Sequence, residues 1–264
     1  MLELKKLYKT FNPGTINAKT ALSGLSVTLN DGYFVTVIGG NGAGKSTMLN
    51  ATAGTFFVDS GKVLIDGADV TNLPEHKRAA FIGRVFQDPM MGTAPSMQIE
   101  ENLALAARRG QRRGLSWGVT KDEREEYRRR LGALGLGLES RLSTKVATLS
   151  GGQRQALTLL MATLKRPELL LLDEHTAALD PKTAAKVMEL TDRIVQENQL
   201  TTLMITHNMR DAIQYGNRLI MLHEGRIILD ISGEEKQKLT VPDLLAQFTR
   251  ASGGEFASDR AILS

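Results

Sequence analysis

The pattern of apolar and polar residues predicts strands and turns in the first quarter of the chain. Residues 2–8 and 21–29 alternate between the two classes, as half-buried strands do. Residues 33–40 are mostly apolar and end in glycine, which is typical of a buried parallel strand that leads into a loop. Residues 47–53 have a helical composition, and residues 61–70 predict a hairpin or an edge strand.

The second half of the chain repeats a strand and helix pattern. Short apolar runs lie at residues 169–173, 202–206 and 219–222, and helical segments at 184–196 and 209–215 separate the later runs. Strand, helix and strand at this spacing predict a parallel sheet with crossover helices.

The middle of the chain differs, because residues 88–153 contain no convincing strand pattern. Residues 99–109 and 121–134 have helical composition, and Glu125 is spaced to pair with Arg129. We therefore expect an α-helical lobe inserted into an α/β core. The predicted units are the core (1–87 and 154–240), the helical subdomain (88–153) and a short C-terminal tail (241–264) whose last residues fray.

Composition narrows the class of protein. The 264 residues are 42% hydrophobic and can bury a full core, while a net charge of +4 does not by itself argue for nucleic-acid binding. The absence of cysteine excludes disulfides and thiolate metal sites. The chain start lacks the apolar segment of a signal peptide, and no apolar run approaches the roughly 20 residues that span a bilayer. We expect a soluble chain, or one held at a membrane only by partner proteins.

A glycine-rich phosphate-binding loop is predicted between a strand and a helix. The sequence GGNGAGKST fits the pattern G-x-x-x-x-G-K-[ST]. Glycines let backbone N–H groups point at phosphate oxygens, the lysine adds a charge near the β- and γ-phosphates, and the serine offers a hydroxyl to Mg²⁺. The residues of this loop are Gly39, Gly40, Asn41, Gly42, Ala43, Gly44, Lys45, Ser46 and Thr47.

Polar residues at the ends of apolar runs supply candidate chemistry. Asp173 can reach Mg²⁺, and the adjacent Glu174 can polarise an attacking water, because a metal keeps one of two neighbouring carboxylates ionised. Gln87 can ligate Mg²⁺ or bind water, and His207 can donate to a γ-phosphate oxygen. Taken alone, Gln87 carries no weight and His207 fits a structural histidine better.

A second anion-binding element lies in the sequence TLSGGQRQA at residues 148–156. A Ser-Gly-Gly turn leads there into a helix-forming segment, and the start of a helix binds anions through free N–H groups and the helix dipole. The chain therefore contains two candidate phosphate-binding elements about a hundred residues apart.

Together these motifs resemble the ATP-binding cassette of ABC transporters. The family's order and rough spacing recur over residues 2–240 in the phosphate loop, Gln87, LSGGQ (149–153), LLLLDE (169–174), AALD (177–180) and His207. LSGGQ is highly specific to ABC ATPases. The resemblance implies an α/β P-loop NTPase core with a mainly parallel sheet, an N-terminal antiparallel β part and an inserted α-helical lobe. It also implies ATP hydrolysis coupled to membrane transport.

The resemblance further implies residue roles. Phe11 would stack on adenine, with Tyr8 as the second choice, and Asp180 would lie at a dimer interface. Catalysis would use Glu174, His207, Gln87 and Lys45, and the metal ligands would be Ser46, Gln87 and Asp173. The residues expected to contact ATP held by a second subunit are Ser150, Gly151, Gly152 and Gln153.

One residue departs from the family pattern, because His175 stands where the family usually has proline. An imidazole at this place would titrate near neutral pH. The interpretation that we favour is a tolerated loop residue.

Several functions are compatible with a phosphate loop. A phosphotransferase is disfavoured by LSGGQ, and a soluble ABC ATPase that acts on nucleic acid or ribosomes is disfavoured by the single cassette without a long coiled coil. A cassette of a multi-subunit exporter stays open, although the segment before LSGGQ lacks the acidic-glycine pattern of exporters. Segments around Gln87 resemble bacterial amino-acid importers, especially the branched-chain type. We therefore expect the ATPase subunit of an importer of amino acids or similar small solutes.

The expected cofactors are ATP and Mg²⁺. The expected partners are a second copy of the cassette or a related one, transmembrane permease subunits and a substrate-binding protein, with no nucleic acid. The chain would sit peripherally on the cytoplasmic face of the cell membrane. Residues 107–114 carry four arginines that fit a solvated face better than a nucleic-acid or lipid contact, and residues 89–98 suit permease docking and core-facing methionines equally.

Overall fold

The structure is a computed structural model that describes residues 1–111 and 118–251. Its strands are β1 Leu2–Phe11, β2 Lys19–Leu29, β3 Phe34–Ile38, β4 Ser60–Ile65, β5 Ala68–Asp69, β6 Ile82–Val85, β7 Leu169–Asp173, β8 Thr202–Ile205, β9 Arg218–His223 and β10 Arg226–Ser232. Its α-helices are α1 Lys45–Ala53, α2 Glu75–Arg78, α3 Ile99–Ala107, α4 Lys121–Gly132, α5 Gly151–Thr163, α6 Pro181–Glu197, α7 Met209–Gln214, α8 Gly233–Lys238 and α9 Val241–Ala251.

The described strands form two sheets. The order in the antiparallel sheet is β2-β1-β4-β5, and the order in the larger sheet is β10-β9-β3-β8-β7-β6. All neighbours in the larger sheet are parallel except β10 and β9. The carboxyl ends of β3, β7 and β8 therefore meet at one edge, which is where open α/β sheets bind ligands. The predicted α/β fold, with its N-terminal antiparallel part, is confirmed.

Apolar residues on β7 explain how the larger sheet is held between two cores. Leu170 and Leu172 pack into the core on the side of the helical lobe. Leu169 and Leu171 alternate with them and pack into the core that the antiparallel sheet covers. A strand that is buried on both faces reads as a continuous apolar run, which is why the sequence identified it.

The helical lobe consists of α3, α4 and the start of α5. Arg124 on α4 donates two hydrogen bonds, of 2.6 and 2.9 Å, to the buried carboxylate of Glu100 on α3. The predicted pairing of Glu125 with Arg129 is wrong: Glu125 contacts Arg128, and Arg129 pairs with Glu126. Residues three or four apart on a helix face each other, and Glu126 also contacts Arg130 at the longer spacing.

The end of the described chain is more ordered than a tail. Helix α9 occupies the start of segment 241–264, and its Leu244 and Phe248 are buried against Ile38 and Leu219 of the larger sheet. Residues 252–264, which we expected to fray, lie outside the described residues. Within the described part of the chain, no helix has the length and apolar character needed to cross a membrane.

Candidate active site

A cavity of about 420 Å³ opens at the carboxyl edge of the larger sheet. It is lined by residues from the antiparallel sheet, the phosphate loop and the ends of two central strands. These residues are Phe11, Lys19, Ala21, Asn41, Gly42, Ala43, Gly44, Lys45, Ser46, Thr47, Glu174 and His207. Seven of the nine predicted loop residues line it directly.

The phosphate loop is held in place by close backbone packing. Gly44 has a φ of 103°, and a Cβ atom there would lie 2.6 Å from the carbonyl oxygen of Ala21. Only glycine fits this position. The buried Lys45 Nζ donates to the carbonyl oxygens of Gly39 (2.8 Å) and Gly40 (3.1 Å). Gly39 and Gly40 thus orient the lysine, whereas residues 41–47 of the loop line the cavity.

Two polar residues meet at the mouth of the cavity. Glu174 follows β7 and has a φ of 47°, a conformation that costs a non-glycine residue about 1–3 kcal/mol. Its N–H donates to the carbonyl of Ile205 at the end of β8 (3.0 Å). The Nε2 of His207 lies 2.6 Å from Glu174 Oε1. The His207 Nδ1 is buried and has no hydrogen-bond partner among the described residues.

The predicted metal ligands differ in their placement. Ser46 lines the cavity, whereas Asp173 lies at the end of β7. Burial raises the pKa of the Asp173 carboxyl group, and Arg84, 3.4 Å away, opposes that rise. Gln87 is exposed in the bend after β6 and does not line the cavity. The described residues contain no cluster of three or more histidines and carboxylates. This sparse oxygen donor set fits Mg²⁺, which is held largely by phosphates and water.

An aromatic residue, Phe11, also lines the cavity. The ring of Phe11 meets that of Phe56 edge-on at 5.3 Å, and Lys9 lies over both rings. The cavity is lined by Phe11 and not by Tyr8, which settles which of the two faces it. Lys19 also lines the cavity and was not predicted from the sequence; it is paired with Phe11 between β1 and β2. The register of the two strands would have placed Lys19 there, but no local motif marks it.

The LSGGQ segment lies apart from the phosphate-loop cavity. Ser150 caps α5, because its Oγ accepts a hydrogen bond from the N–H of Gln153 (3.3 Å). In return, the side-chain oxygen of Gln153 accepts from the N–H of Ser150. A Cβ atom on Gly152 would lie 2.2 Å from Thr183, so that α5 and α6 approach closely here. Ser150, Gly152 and Gln153 line a different cavity, of about 580 Å³, and Gly151 and Asp180 are exposed. Asp180 caps α6.

His175 lies in the turn after β7, as expected for a loop residue, but its side chain is not at the surface. The side chain is only 2% exposed, and burial lowers the pKa of the imidazole to about 4. It therefore does not titrate near neutral pH. Its Nε2 lies 3.0 Å from Thr191 Oγ1 on α6.

Two segments with open interpretations are now placed. Arg108 pairs with Glu123, and Arg109 donates to the carbonyls of Ala162 and Lys165. Both arginines therefore make contacts within the protein. The other two arginines of segment 107–114 lie outside the described residues.

In segment 89–98, Met90 and Met91 are 40% and 70% exposed and do not face the core.

Known proteins resemble this chain in sequence and fold. The family profile described as "ABC transporter" matches residues 22–177. The chain is 47% identical over 251 residues to the tyrosine transport ATP-binding protein of Clostridioides difficile (strain R20291), and the alignment covers 95% of this chain and all of that protein. The chain belongs to the ABC transporter family.

Further relatives extend the comparison. The spermidine/putrescine import ATP-binding protein PotA of Haemophilus influenzae (strain ATCC 51907 / DSM 11121 / KW20 / Rd) is 34% identical over 89% of this ABC chain, which spans 59% of that protein's length. A dimeric cassette solved in a post-hydrolysis state with ADP and Pi is 30% identical and has a TM-score of 0.75, with 88% of this chain and 98% of the other covered. The chain is thus an ABC ATPase, the ATP-binding subunit of a transporter.

Proposed function

We propose that this ATPase powers the import of an amino acid of the tyrosine type through separate permease subunits. The observation that carries the proposal is the similarity to a tyrosine transport protein, which covers that protein's whole length at 47% identity. The sequence also predicts an amino-acid importer, in agreement with this proposal. It favours a branched-chain substrate, which we replace with an aromatic amino acid.

Hydrolysis needs a positioned water and donors for the charge that spreads over the γ-phosphate. Glu174 lies at the cavity mouth and accepts a proton from the attacking water, while the oxygen of that water bonds to phosphorus and ADP departs. Lys45 and the loop N–H groups bind the phosphates, and His207 donates to a γ-phosphate oxygen. Ser46, Asp173 and Gln87 would hold Mg²⁺, which would offset the negative charge of the phosphates.

The LSGGQ segment acts on ATP that a second copy of the chain holds. Support comes from its position, because Ser150 caps α5 outside the cavity that the phosphate loop forms. The exposed Ser150 and Gly151 leave the start of α5 open to a partner. Asp180, at the exposed start of α6, lies at the same dimer interface. ATP then joins two chains head to tail, and its hydrolysis releases them.

An apolar groove beside Gln87 fits the permease. The groove has a volume of about 240 Å³, and its floor is formed by small and apolar residues of the core and the lobe. Glu75 and Arg84 line it as well, and the exposed Met90 and Met91 follow Gln87 in the sequence. Methionine surfaces adapt to a partner's shape. We assign the groove to an amphipathic helical segment of a permease subunit.

The location and further partners follow from this assignment. A chain without a spanning helix among its described residues reaches the membrane through the permease, on the cytoplasmic face where ATP is available. A substrate-binding protein outside the membrane supplies the solute.

An uptake assay tests the proposal. A strain deleted for this chain should lose uptake of radiolabelled tyrosine, and the wild-type chain should restore it, whereas Glu174→Gln should not. Uptake of branched-chain amino acids and of polyamines serves as the matched comparison. Unchanged tyrosine uptake in the deletion strain, with loss of another solute, would overturn the substrate assignment and leave the ATPase assignment intact.

A further inference from the structure

His175 occupies a position that combines burial with a polar contact. It directly follows Glu174, and its ring reaches from the loop after β7 to α6, where Thr191 is fully buried. A buried polar pair of this kind persists when its hydrogen bonds are satisfied.

The hydrogen bonds fix the direction of the contact. Thr191 has one hydroxyl hydrogen, which it donates to the carbonyl oxygen of Val187 one turn earlier on α6 (2.8 Å). The Thr191 oxygen must therefore accept from His175, at 3.0 Å, so that the ring carries its hydrogen on Nε2.

This contact completes the anchoring of the loop that carries Glu174. The Glu174 N–H is held by Ile205 on β8, and its carbonyl accepts from Ala177 (2.9 Å) within the turn that follows. His175 ties the same segment to α6. The left-handed backbone of Glu174 is thus constrained from both sides, by the sheet and by α6, the helix that Asp180 caps.

We propose that His175 is a positioning residue, which donates from Nε2 to Thr191 and thereby holds the Glu174 carboxylate in place beside His207. This inference rests on the proposed role of Glu174 in hydrolysis. His175 does not touch the reacting atoms itself, since it does not line the cavity.

Paired substitutions at both ends of the hydrogen bond test this inference. His175→Gln keeps an N–H donor at a similar reach, whereas His175→Leu keeps the bulk and removes the donor. Thr191→Ser keeps the acceptor, and Thr191→Val removes it. We expect kcat for ATP hydrolysis to fall roughly 10- to 100-fold in the Leu and Val variants, the scale of a misplaced catalytic group, with KM for ATP changed less than about twofold. The Gln and Ser variants should retain kcat within about threefold.

The double variant and a Glu174→Gln background separate positioning from folding. The combined Leu and Val variant should lose no more activity than either single variant, because both remove one interaction. In the Glu174→Gln background, His175→Leu should not lower the residual turnover further. The inference would be overturned if the losses of activity followed the folded fraction measured by circular dichroism. It would also be overturned if His175→Gln lowered kcat as much as His175→Leu.

The proposed roles of Glu174 and His175 can be disproved separately. Near-normal turnover of Glu174→Gln alone would remove the proposed role of Glu174. Impaired Glu174→Gln together with normal kcat in His175→Leu and Thr191→Val would overturn only the role of His175.

Discussion

The imidazole Nε2 of His207 lies 2.6 Å from the carboxylate oxygen Oε1 of Glu174. The two residues follow neighbouring parallel strands, β8 and β7, and they meet where the phosphate loop opens. The contact keeps the carboxylate at the cavity mouth. When ATP binds, we expect the γ-phosphate to take the His207 donor and leave Glu174 facing the attacking water.

Replacement of Glu174 by glutamine should separate binding from hydrolysis. An amide cannot take a proton from water, so we expect ATPase turnover to fall by roughly 10²-fold or more, the scale of a lost general base. ATP affinity, measured by equilibrium binding, should stay close to that of the wild type. Near-normal turnover would contradict the role of this residue.

Removal of the Phe11 ring should weaken ATP binding. Stacking on a base contributes about 1–3 kcal/mol, so Phe11→Ala should raise the ATP dissociation constant roughly tenfold, with kcat at saturating ATP retained. Tyr8→Ala is the matched control, because Tyr8 is also an exposed aromatic residue of β1 but does not line the cavity. Equal effects of the two substitutions would argue against a specific stack on adenine.

Much of this site was predictable because its residues end apolar runs. The buried strands β3 and β7 are recognisable in the sequence as apolar runs. Parallel strands bring their carboxyl ends to one edge of the sheet, which is why Lys45 and Glu174 were predicted to lie together. Lys19 was not predictable in this way, since its place depends on antiparallel pairing with Phe11. The burial of His175 also escaped prediction, because one polar residue in a loop carries no periodicity that would reveal its surroundings.

The pair formed by Glu100 and Arg124 should make the helical lobe sensitive to acid. The Arg124 hydrogen bonds hold the pKa of Glu100 below its ordinary value, so the folded state favours the carboxylate. This stabilisation is present above pH 4.5, near the carboxyl's unfolded pKa, and is lost as pH falls through the lower folded pKa. We expect Glu100→Gln to lower the free energy of unfolding by roughly 1 kcal/mol at neutral pH, a difference that shrinks in acid.

Chemical denaturation at several pH values measures this difference. Glu125→Gln is the control, because Glu125 pairs with Arg128 at the exposed surface of α4 and surface pairs contribute little. An offset between Glu100→Gln and the wild type that stays constant down to acid pH would contradict the linkage.

A charge on the proposed docking surface should uncouple transport from hydrolysis. Met91 is 70% exposed and directly precedes Gly92, which lines the groove, so Met91→Glu should leave the ATPase activity of the isolated chain unchanged. It should reduce co-purification of the permease from membranes and tyrosine uptake several-fold. Ile16→Glu is the control, since Ile16 is a fully exposed apolar residue on the β1–β2 loop and does not line the groove. Normal uptake with Met91→Glu would move the docking site elsewhere.

An arginine at Ser150 should block pairing of the chains without blocking ATP binding. Ser150 is exposed and outside the phosphate-loop cavity, so Ser150→Arg should bind ATP as a monomer and lose ATP-driven dimerisation and turnover. Ser140→Arg, at another exposed serine of the lobe, should retain both. Loss of ATP binding by the Ser150→Arg monomer would place LSGGQ in its own chain's site.

Mixing two inactive variants tests most directly whether the two phosphate-binding elements serve different subunits. Lys45→Ala disables the phosphate loop, and Ser150→Arg disables the LSGGQ segment, so that each variant alone should hydrolyse almost no ATP. A mixed dimer contains one complete site, built from the loop of the Ser150→Arg chain and the Ser150 of the other. We predict that ATPase activity reappears on mixing and is highest when the two variants are present in nearly equal amounts. No recovery, with mixed dimers present, would contradict this prediction.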